Sequence, residues 1–491
     1  MTVSLPLFIP ALPEVYLALV AMALLMLGAL RGSRVADSLH VAALAGFPGA
    51  AILMAVAVQT GGAQQVGMYG MFILDPFALV LKGLILTGAV LALLMGLRST
   101  RDSDMGQSEY PVLVILAVTG MMVMVSANDL MSMYLGLELQ GLSLYILAAF
   151  QRDRARSGEA GLKYFVLGAL SSGLMLYGMS LLYGFAGSTS FDLLAQTLVS
   201  HNGNLPFGVV VGMVLVLAGM AFKVSAAPFH MWAPDVYQGA PTPVTAFFAL
   251  APKVAALGLL ARILWGPFAG MDSQAQQVLV FLSAASMIVG AFGAIRQDNI
   301  KRLLAYSSIG HAGYALIGLA AGSSEGVRGL LFYMVVYMLT SAGAFGVVLA
   351  MRRHGEPVEK LSDLAGLART HMPLALAMLV FMFSMAGIPP AAGFFAKFFI
   401  FQAAVEAGGS QPLLLGLAIL GVLSSVVAAF YYLNIVRIMW LEEPVASLDK
   451  VEGASLRLVI AGTALLTFPA FLALVNPVMD LAAWAAGSIT G

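Results

Sequence analysis

The chain reads as an all-α polytopic membrane protein of about fourteen transmembrane helices, with two inverted five-helix repeats that each contain a broken helix. Three observations predict this. Of 491 residues, 60% are hydrophobic and only 10% charged, with a mean hydropathy of +0.94; soluble domains carry roughly 25% charged residues. Apolar runs long enough to cross a bilayer recur from end to end, and no stretch is polar enough for a separate soluble domain. Finally, two of the runs are interrupted by proline, and ionisable residues recur inside the runs at nearly constant spacing.

Glycine, proline and charge clusters punctuate the chain into helices near 11–30, 39–58, 73–97, 111–127, 129–150, 159–185, 205–237, 241–264, 275–296, 300–320, 326–351, 372–405, 412–440 and 455–475. Met1 to Tyr16 contain no Lys or Arg, so no positive n-region of a cleaved signal is read, and the first helix is expected to be retained with its N-terminus outside. The distribution of positive charge tests the count. Connections then expected inside carry Arg31, Arg34, Arg98, Arg101, Arg152, Arg154, Arg156, Arg296, Lys301, Arg302, Arg352, Arg353, Lys360, Arg369, Arg437, Lys450 and Arg457, while the other face has Arg262 and Arg328. The five other lysines, of 24 Lys and Arg in all, fall within spans. This alternation predicts both termini on the outer, periplasmic side of a bacterial-type inner membrane.

The seventh predicted helix contains Pro228 and Pro234, and the twelfth contains Gly387, Pro389, Pro390 and Gly393. Proline removes a backbone donor and clashes with the preceding turn. Unwound backbone at membrane depth is tolerated only against protein or a wet cavity, and paired broken helices point to a transport site. Lys223 and Lys397 lie 174 residues apart, and Glu138 and His311 lie 173 apart. Helices four to eight (111–264) therefore map onto helices nine to thirteen (275–440), after an N-terminal three-helix segment (1–110) and before a C-terminal helix in 441–491. A shift of five helices inverts the second unit in the membrane. Lys223 precedes its break, whereas Lys397 follows its own.

An ionisable side chain in a span costs several kcal/mol, so it faces a cavity or a partner. The candidates are Glu138, Lys163, Lys223, Lys253 and Lys397, with His230 and His311 the histidines at membrane depth. Burial disfavours a charged amine and a nearby carboxylate restores it, so a lysine between those influences changes protonation when a neighbouring charge moves. A histidine needs less adjustment. Glu138 and Lys223 would form such a pair, with Lys253 receiving the proton. Against this, Lys163 near the start of its helix reads equally as a snorkelling side chain. Lys82 reads better as a structural or inter-subunit contact, and His230 and His311 also suit satisfied core positions. Asp75, Asp129 and Asp235 lie near span ends, where capping or solvation explains them.

With no cysteine, the sequence offers no disulfide, thiolate zinc site or cysteine-held iron–sulfur cluster, and it contains no nucleotide-binding glycine motif. No ligand set accompanies the histidines, so no metal site is expected. The zero net charge gives no sign of a nucleic-acid partner.

The stretch KVSAAPFHMWAPDVYQGAPTPVTAFFALAPK (Lys223 to Lys253), the segment GIPPAAGFFAKF and the run NIKRLLAYSSIGHAGY (Asn299 to Tyr314) together resemble the antiporter-like subunits of respiratory complex I, the proton-translocating NADH-quinone oxidoreductase. The resemblance runs essentially the whole chain. L- and M-type members read differently after Pro234-Asp235, M-type members carry glutamate where Lys397 stands, and L-type members continue into a long lateral helix where this chain stops at Gly491; the pattern is similar to the N-type branch. The resemblance implies Glu138 and Lys223 as a coupled pair, Lys253 as central relay and Lys397 as far terminus. It also implies that NADH, flavin, iron–sulfur clusters and quinone belong to partner subunits, so that this chain holds no cofactor, and that it adjoins other antiporter-like membrane-arm subunits. Multi-subunit sodium/proton antiporters share this machinery and form the nearest alternative. Two others stand beside it, a subunit binding quinone directly and a structural spacer.

Overall fold

The computed structural model describes residues 5–99, 106–200, 205–409, 411–445, 448–451 and 453–490. Met1, Arg101 and Gly491 lie outside them, and the side chains of Arg34 and Arg98 are not described. Nearly everything described is helical. First come α1 (Leu12–Arg31), α2 (Ala36–Gly61) and α3 (Pro76–Ser99), with a small antiparallel hairpin, β1 (Gln65–Gly67) and β2 (Phe72–Leu74), between the last two. A first group follows: α4 (Glu109–Val125), α5 (Leu130–Ala148), α6 (Ala155–Ala186), α7 (Phe191–Ser200), α8 (Phe207–Val224), α9 (Trp232–Gly239), α10 (Thr242–Ala249) and α11 (Ala251–Trp265). The second group is α12 (Asp272–Ile295), α13 (Ile300–Ala320), α14 (Ser324–Ala350), the two-residue strands β3 (Arg352–Arg353) and β4 (Glu356–Pro357), the single turn α15 (Leu367–Thr370), then α16 (Met372–Ala386), α17 (Ala392–Gly408) and α18 (Pro412–Leu441). α19 (Ala454–Thr467) and α20 (Phe471–Thr490) end the chain.

Among the described residues, 12 helical segments are long and apolar enough to cross a membrane, and α4, α16 and α19 are shorter apolar helices. Every predicted span coincides with helix, but four are interrupted rather than two. The span expected at 241–264 breaks at Leu250, because Pro252 has no N–H to give the preceding turn and instead opens α11. The span expected at 455–475 stops at Thr467 before Pro469 and resumes as a 20-residue helix. The ten-residue α7 was not anticipated; it buries Phe191, Leu194 and Leu198, the stripe of a surface-lying helix too short to span. The break expected at Pro228 and Pro234 lies before α9, since Pro234 sits in that helix's first turn, where its missing donor has no cost.

The described ends lie on one face. The turn of 3₁₀ helix Leu5–Ala11 packs on β1 and β2, which lead into α3, and the Phe77 amide at the start of α3 donates to Ser488 Oγ, 3.1 Å away near the end of α20. An even number of crossings follows. Arg262 is on this terminal face, bound to Asp75, whereas Arg154, Arg156, Arg352, Arg353 and Lys360 surround one cavity on the opposite, basic face.

The inversion is visible in the backbone. Asp129 caps α5 and forms an isolated β-bridge with Ser190; Asn299 caps α13 and forms one with Lys360, 170 residues further on in both strands. The flanking bonds repeat too: Leu130 N to Thr189 O answers Ile300 N to Glu359 O. Yet the first bridge adjoins Gly70 and Met71 on the terminal face, and the second lines the cavity on the basic face. Glycines close both helical hairpins in the same register. A Cβ on Gly120 would fall 2.6 Å from Gln140 N, and one on Gly290 would strike Gly310 N, again 170 residues along. Around these hairpins the bundle is centred on α10, α11, α13 and α14, which are buried almost throughout.

Candidate proton-relay site

α8 ends because Ser225 adopts a left-handed conformation (φ 61°). A helix end leaves carbonyls without partners, and buried ones must find donors. Three side chains fix the unwound segment. Trp232 Nε1 donates to Phe222 O (3.0 Å), the Ala227 amide donates to Ser286 Oγ (2.8 Å), and Lys253 Nζ donates to Val224 O at 2.7 Å. Lys223 occupies the last turn of α8, where the negative end of the half-helix favours a cation. Its ammonium lies 3.5 Å from Tyr145 OH and against Gly141, where a Cβ would sit 3.1 Å from Nζ. Gly141 is one turn beyond Glu138 on α5, and Glu138 is the carboxylate whose field reaches Lys223. Among the described residues no ion pair within 4.0 Å joins them; Glu138 instead accepts from Ser172 Oγ at 2.5 Å.

The second break repeats the device with a different lysine. α16 ends at Ala386, Gly387 turns left-handed (φ 84°), and the Gly393 amide donates to Ser384 Oγ (3.0 Å). Lys397, on α17, reaches back so that Nζ donates to Ala386 O (3.0 Å) and Ser425 Oγ (2.7 Å), with the Tyr314 ring 4.9 Å away. Lys397 therefore follows its break in sequence but places its ammonium at the break in space. Between the two breaks stands His311. Its Nδ1 lies 2.5 Å from Tyr333 OH and its Nε2 3.1 Å from Tyr432 OH, within the fields of both Lys253 and Lys397.

Lys253 and Lys397 thus have the carbonyl end of a broken helix as partner, not a carboxylate. A carbonyl oxygen accepts a hydrogen bond from an ammonium or a neutral amine alike, whereas a carboxylate at contact distance holds the proton in place. These amines can change protonation without losing their partner. The contrast within the same fold is Lys82, fully buried and held by the carboxylate of the buried Glu14 at 2.7 Å. Arg262 likewise meets Asp75 with two bonds (2.8 and 2.9 Å) and Val125 O with a third.

The other sequence candidates fall elsewhere. Lys163 pairs with Glu159 and Asp235, both at 2.7 Å, and Arg302 holds the second Asp235 oxygen at 2.6 Å; this rim cluster is separate from Glu138 and Lys223. Asp235 thereby ties α9 to α6 and α13. His230 is half-buried in the unwound segment. Pro228 lies in the same segment, and Pro389 and Pro390 lie between α16 and α17. Asp129 caps α5 by accepting from Met131 N, as its span-end position suggested. Lys301, read from sequence as a loop charge, is buried instead: it donates to Ala240 O at 2.8 Å and pairs with Glu359 at 2.9 Å. No apolar run flanks it on its N-terminal side, so hydropathy gives no sign of its burial. Among the described residues, no group of three or more His, Asp or Glu side chains converges to hold a metal ion.

Residues 127–425 match the family described as NADH:quinone oxidoreductase/Mrp antiporter, TM. The NADH-quinone oxidoreductase subunit N of Rhodospirillum rubrum is 54% identical over 98% of this chain and 97% of its own length. A chain of respiratory complex I from Thermus thermophilus superimposes with a TM-score of 0.79 at 33% identity, covering 97% of this chain and all of that one. A chain of the Mrp complex from Dietzia sp. superimposes at 0.84 over 99% of this chain and 98% of that one, but at 22% identity it speaks for the fold alone. The chain belongs to the NADH-quinone oxidoreductase subunit N family, a branch of the antiporter-like membrane proteins.

Proposed function

We propose that this chain is a proton-translocating membrane-arm subunit of NADH-quinone oxidoreductase in which Glu138, Lys223, Lys253, His311 and Lys397 relay protons laterally. The observation that carries the reading is the pairing of Lys253 and Lys397 with half-helix carbonyls (2.7 and 3.0 Å), because it leaves each amine free to titrate inside the bundle. A shift of charge at Glu138 changes the cost of the proton on Lys223, which passes it across the break to Lys253, with His311 bridging toward Lys397. Lys163 serves at the rim, holding Asp235 and through it α9; His230 lines the unwound segment. The chain itself carries out no redox step: NADH, flavin, clusters and quinone lie in partner subunits, and neighbouring antiporter-like subunits continue the line of charges. The positive-inside rule places the basic face in the cytoplasm and both termini in the periplasm of an inner membrane. The functional units are helices within 111–264 and 275–440, flanked by a three-helix segment before and the broken last helix after.

The test is NADH-driven ion movement in proteoliposomes of the assembled complex, with a pH-sensitive dye and ²²Na⁺ followed side by side. Wild type should acidify the lumen without sodium movement, and Lys223→Ala should lose acidification and quinone reduction together. Sodium counter-transport abolished by the same substitution would select the antiporter reading instead.

A further inference from the structure

The carbonyl that Lys253 meets belongs to α8, but the backbone of Lys253 belongs to α11, so their 2.7 Å contact depends on where α11 sits along its own axis. That position is not inherited along the chain. The helix is interrupted at Leu250, and Lys253 lies in the first turn after the interruption. Contacts from the side must set it, and the relay uses none of the groups that make them.

α3 lies outside both repeats and runs antiparallel to α11 along its whole length. At the start of α11 a Cβ on Gly88 would sit 3.2 Å from Ala251 N; in the middle a Cβ on Gly258 would overlap the Leu81 side chain. At the far end Arg262, 6% exposed, makes three bonds. Its Nη1 and Nη2 donate to the two oxygens of Asp75 (2.9 and 2.8 Å), and Nε donates to Val125 O, the carbonyl end of α4, at 2.7 Å. Asp75 Oδ1 also accepts from the Ala78 amide (2.7 Å) in the first turn of α3, and the Phe77 ring is centred 5.4 Å from the guanidinium carbon. A bidentate fork fixes direction as well as distance. Desolvation offsets much of the attraction within a buried ion pair, so what such a pair supplies best is geometry. Arg262 is nine residues beyond Lys253, about 14 Å along the helix axis.

We propose that α3 is a splint for the relay, and that Asp75 and Arg262 are positioning residues that hold the half-helix α11 where the Lys253 amine meets the Val224 carbonyl. This inference rests on the relay proposed above, and neither residue carries a proton in it. With the latch gone, α11 is held only by apolar packing at Leu81 and Gly88 and can slide or tilt. A misplacement of about 1 Å can cost on the order of a hundredfold in a step that depends on a positioned group. The other buried pair of α3, Lys82 with Glu14, ties that helix to α1 instead of α11, so it is the internal control.

The experiment uses the assembled complex in proteoliposomes and compares Asp75→Asn/Arg262→Gln with Glu14→Gln/Lys82→Met, Lys253→Gln and wild type. The first variant leaves no charge unpaired, and its asparagine keeps an acceptor for the Ala78 amide. The expected result is at least a threefold loss of NADH-driven proton uptake and coupled turnover. It should come with a larger solvent deuterium isotope effect than wild type, because proton transfer at Lys253 becomes the slow step. Arg262→Lys, which keeps a cation against Asp75, should recover part of both, and the control pair should pump like wild type. A lower thermal-inactivation midpoint without a change in the isotope effect would show a merely structural tie and overturn the proposal. Wild-type uptake and isotope effect in the Asp75/Arg262 variant, with Lys253→Gln inactive, overturns the latch and leaves the relay standing. Wild-type uptake in Lys253→Gln overturns relay and latch together. Should the double variant fail to assemble, Gly88→Ala presses a methyl group on Ala251 at the other end of the splint. A raised isotope effect there supports the splint, and a wild-type one overturns it.

Discussion

The Lys253 ammonium donates to the carbonyl of Val224, 2.7 Å away, and that carbonyl is available only because α8 stops there. The break and the lysine are therefore one device, and Lys397 with Ala386 is its second copy. Substitutions can separate the carbonyl contact of such a lysine from the proton release proposed for it.

The Lys82–Glu14 pair should behave oppositely to the relay lysines. Both are buried and mutually paired, so Glu14→Gln leaves an uncompensated cation at a cost of order 3–5 kcal/mol. The double variant Glu14→Gln/Lys82→Met should recover most of that loss. Thermal inactivation of the purified complex measures it, and pumping per NADH in the surviving complex should equal wild type. Pumping that falls in the double variant would move Lys82 into the relay.

Gly120→Ala should be destabilising by about 1–3 kcal/mol, because the methyl group meets Gln140 N at 2.6 Å and the α4–α5 hairpin cannot open without moving Glu138. Gly173→Ala, on α6 with open space around it, is the control and should be neutral. Midpoints of thermal inactivation compare the two; equal midpoints would show that the hairpin has slack.

Outside the membrane, the hairpin after α14 is tied down by Asp449, whose carboxylate accepts from the Gly355 amide (2.8 Å) and the His354 amide (3.1 Å). These bonds, that from Gly355 foremost, hold the Asp449 carboxyl below the usual carboxylate range. A depressed value means the tether is complete above about pH 4, the unfolded value, and is lost only as pH falls through the lower folded one. Hydrogen exchange at the Gly355 amide should be slow at pH 7 and faster in Asp449→Asn; equal rates would mean that the hairpin is held by other contacts.

The sequence made the membrane fold legible because apolar length, proline and positive charge each leave a linear pattern. Pro228 and Pro389 marked the two central breaks, and four of the five lysines in apolar runs (Lys82, Lys223, Lys253 and Lys397) marked buried amines, whereas Lys163 lies at the rim. What escaped was relational. The true register of the repeat is 170, set by the caps Asp129 and Asn299, so Glu138 corresponds to Ser308, and the 173-residue spacing to His311 is one turn off. Lys223 and Lys397 are likewise not equivalent positions, since one ends a half-helix and the other reaches back to one. Hydrogen bonds to backbone carbonyls leave no residue pattern, so the partner of Lys253 could not be read. The break before α20 was missed because Pro469 sits inside an otherwise unbroken apolar run.

The proposed titration of Lys253 is tested most directly by NADH-driven proton uptake in proteoliposomes of the assembled complex bearing Lys253→Arg. Arginine can still donate to the Val224 carbonyl but does not give up its proton in proteins. Assembly should be normal, with proton uptake and coupled quinone reduction reduced at least tenfold. Uptake per NADH at the wild-type level would contradict it, since a permanently charged side chain would then serve where a titrating one is required.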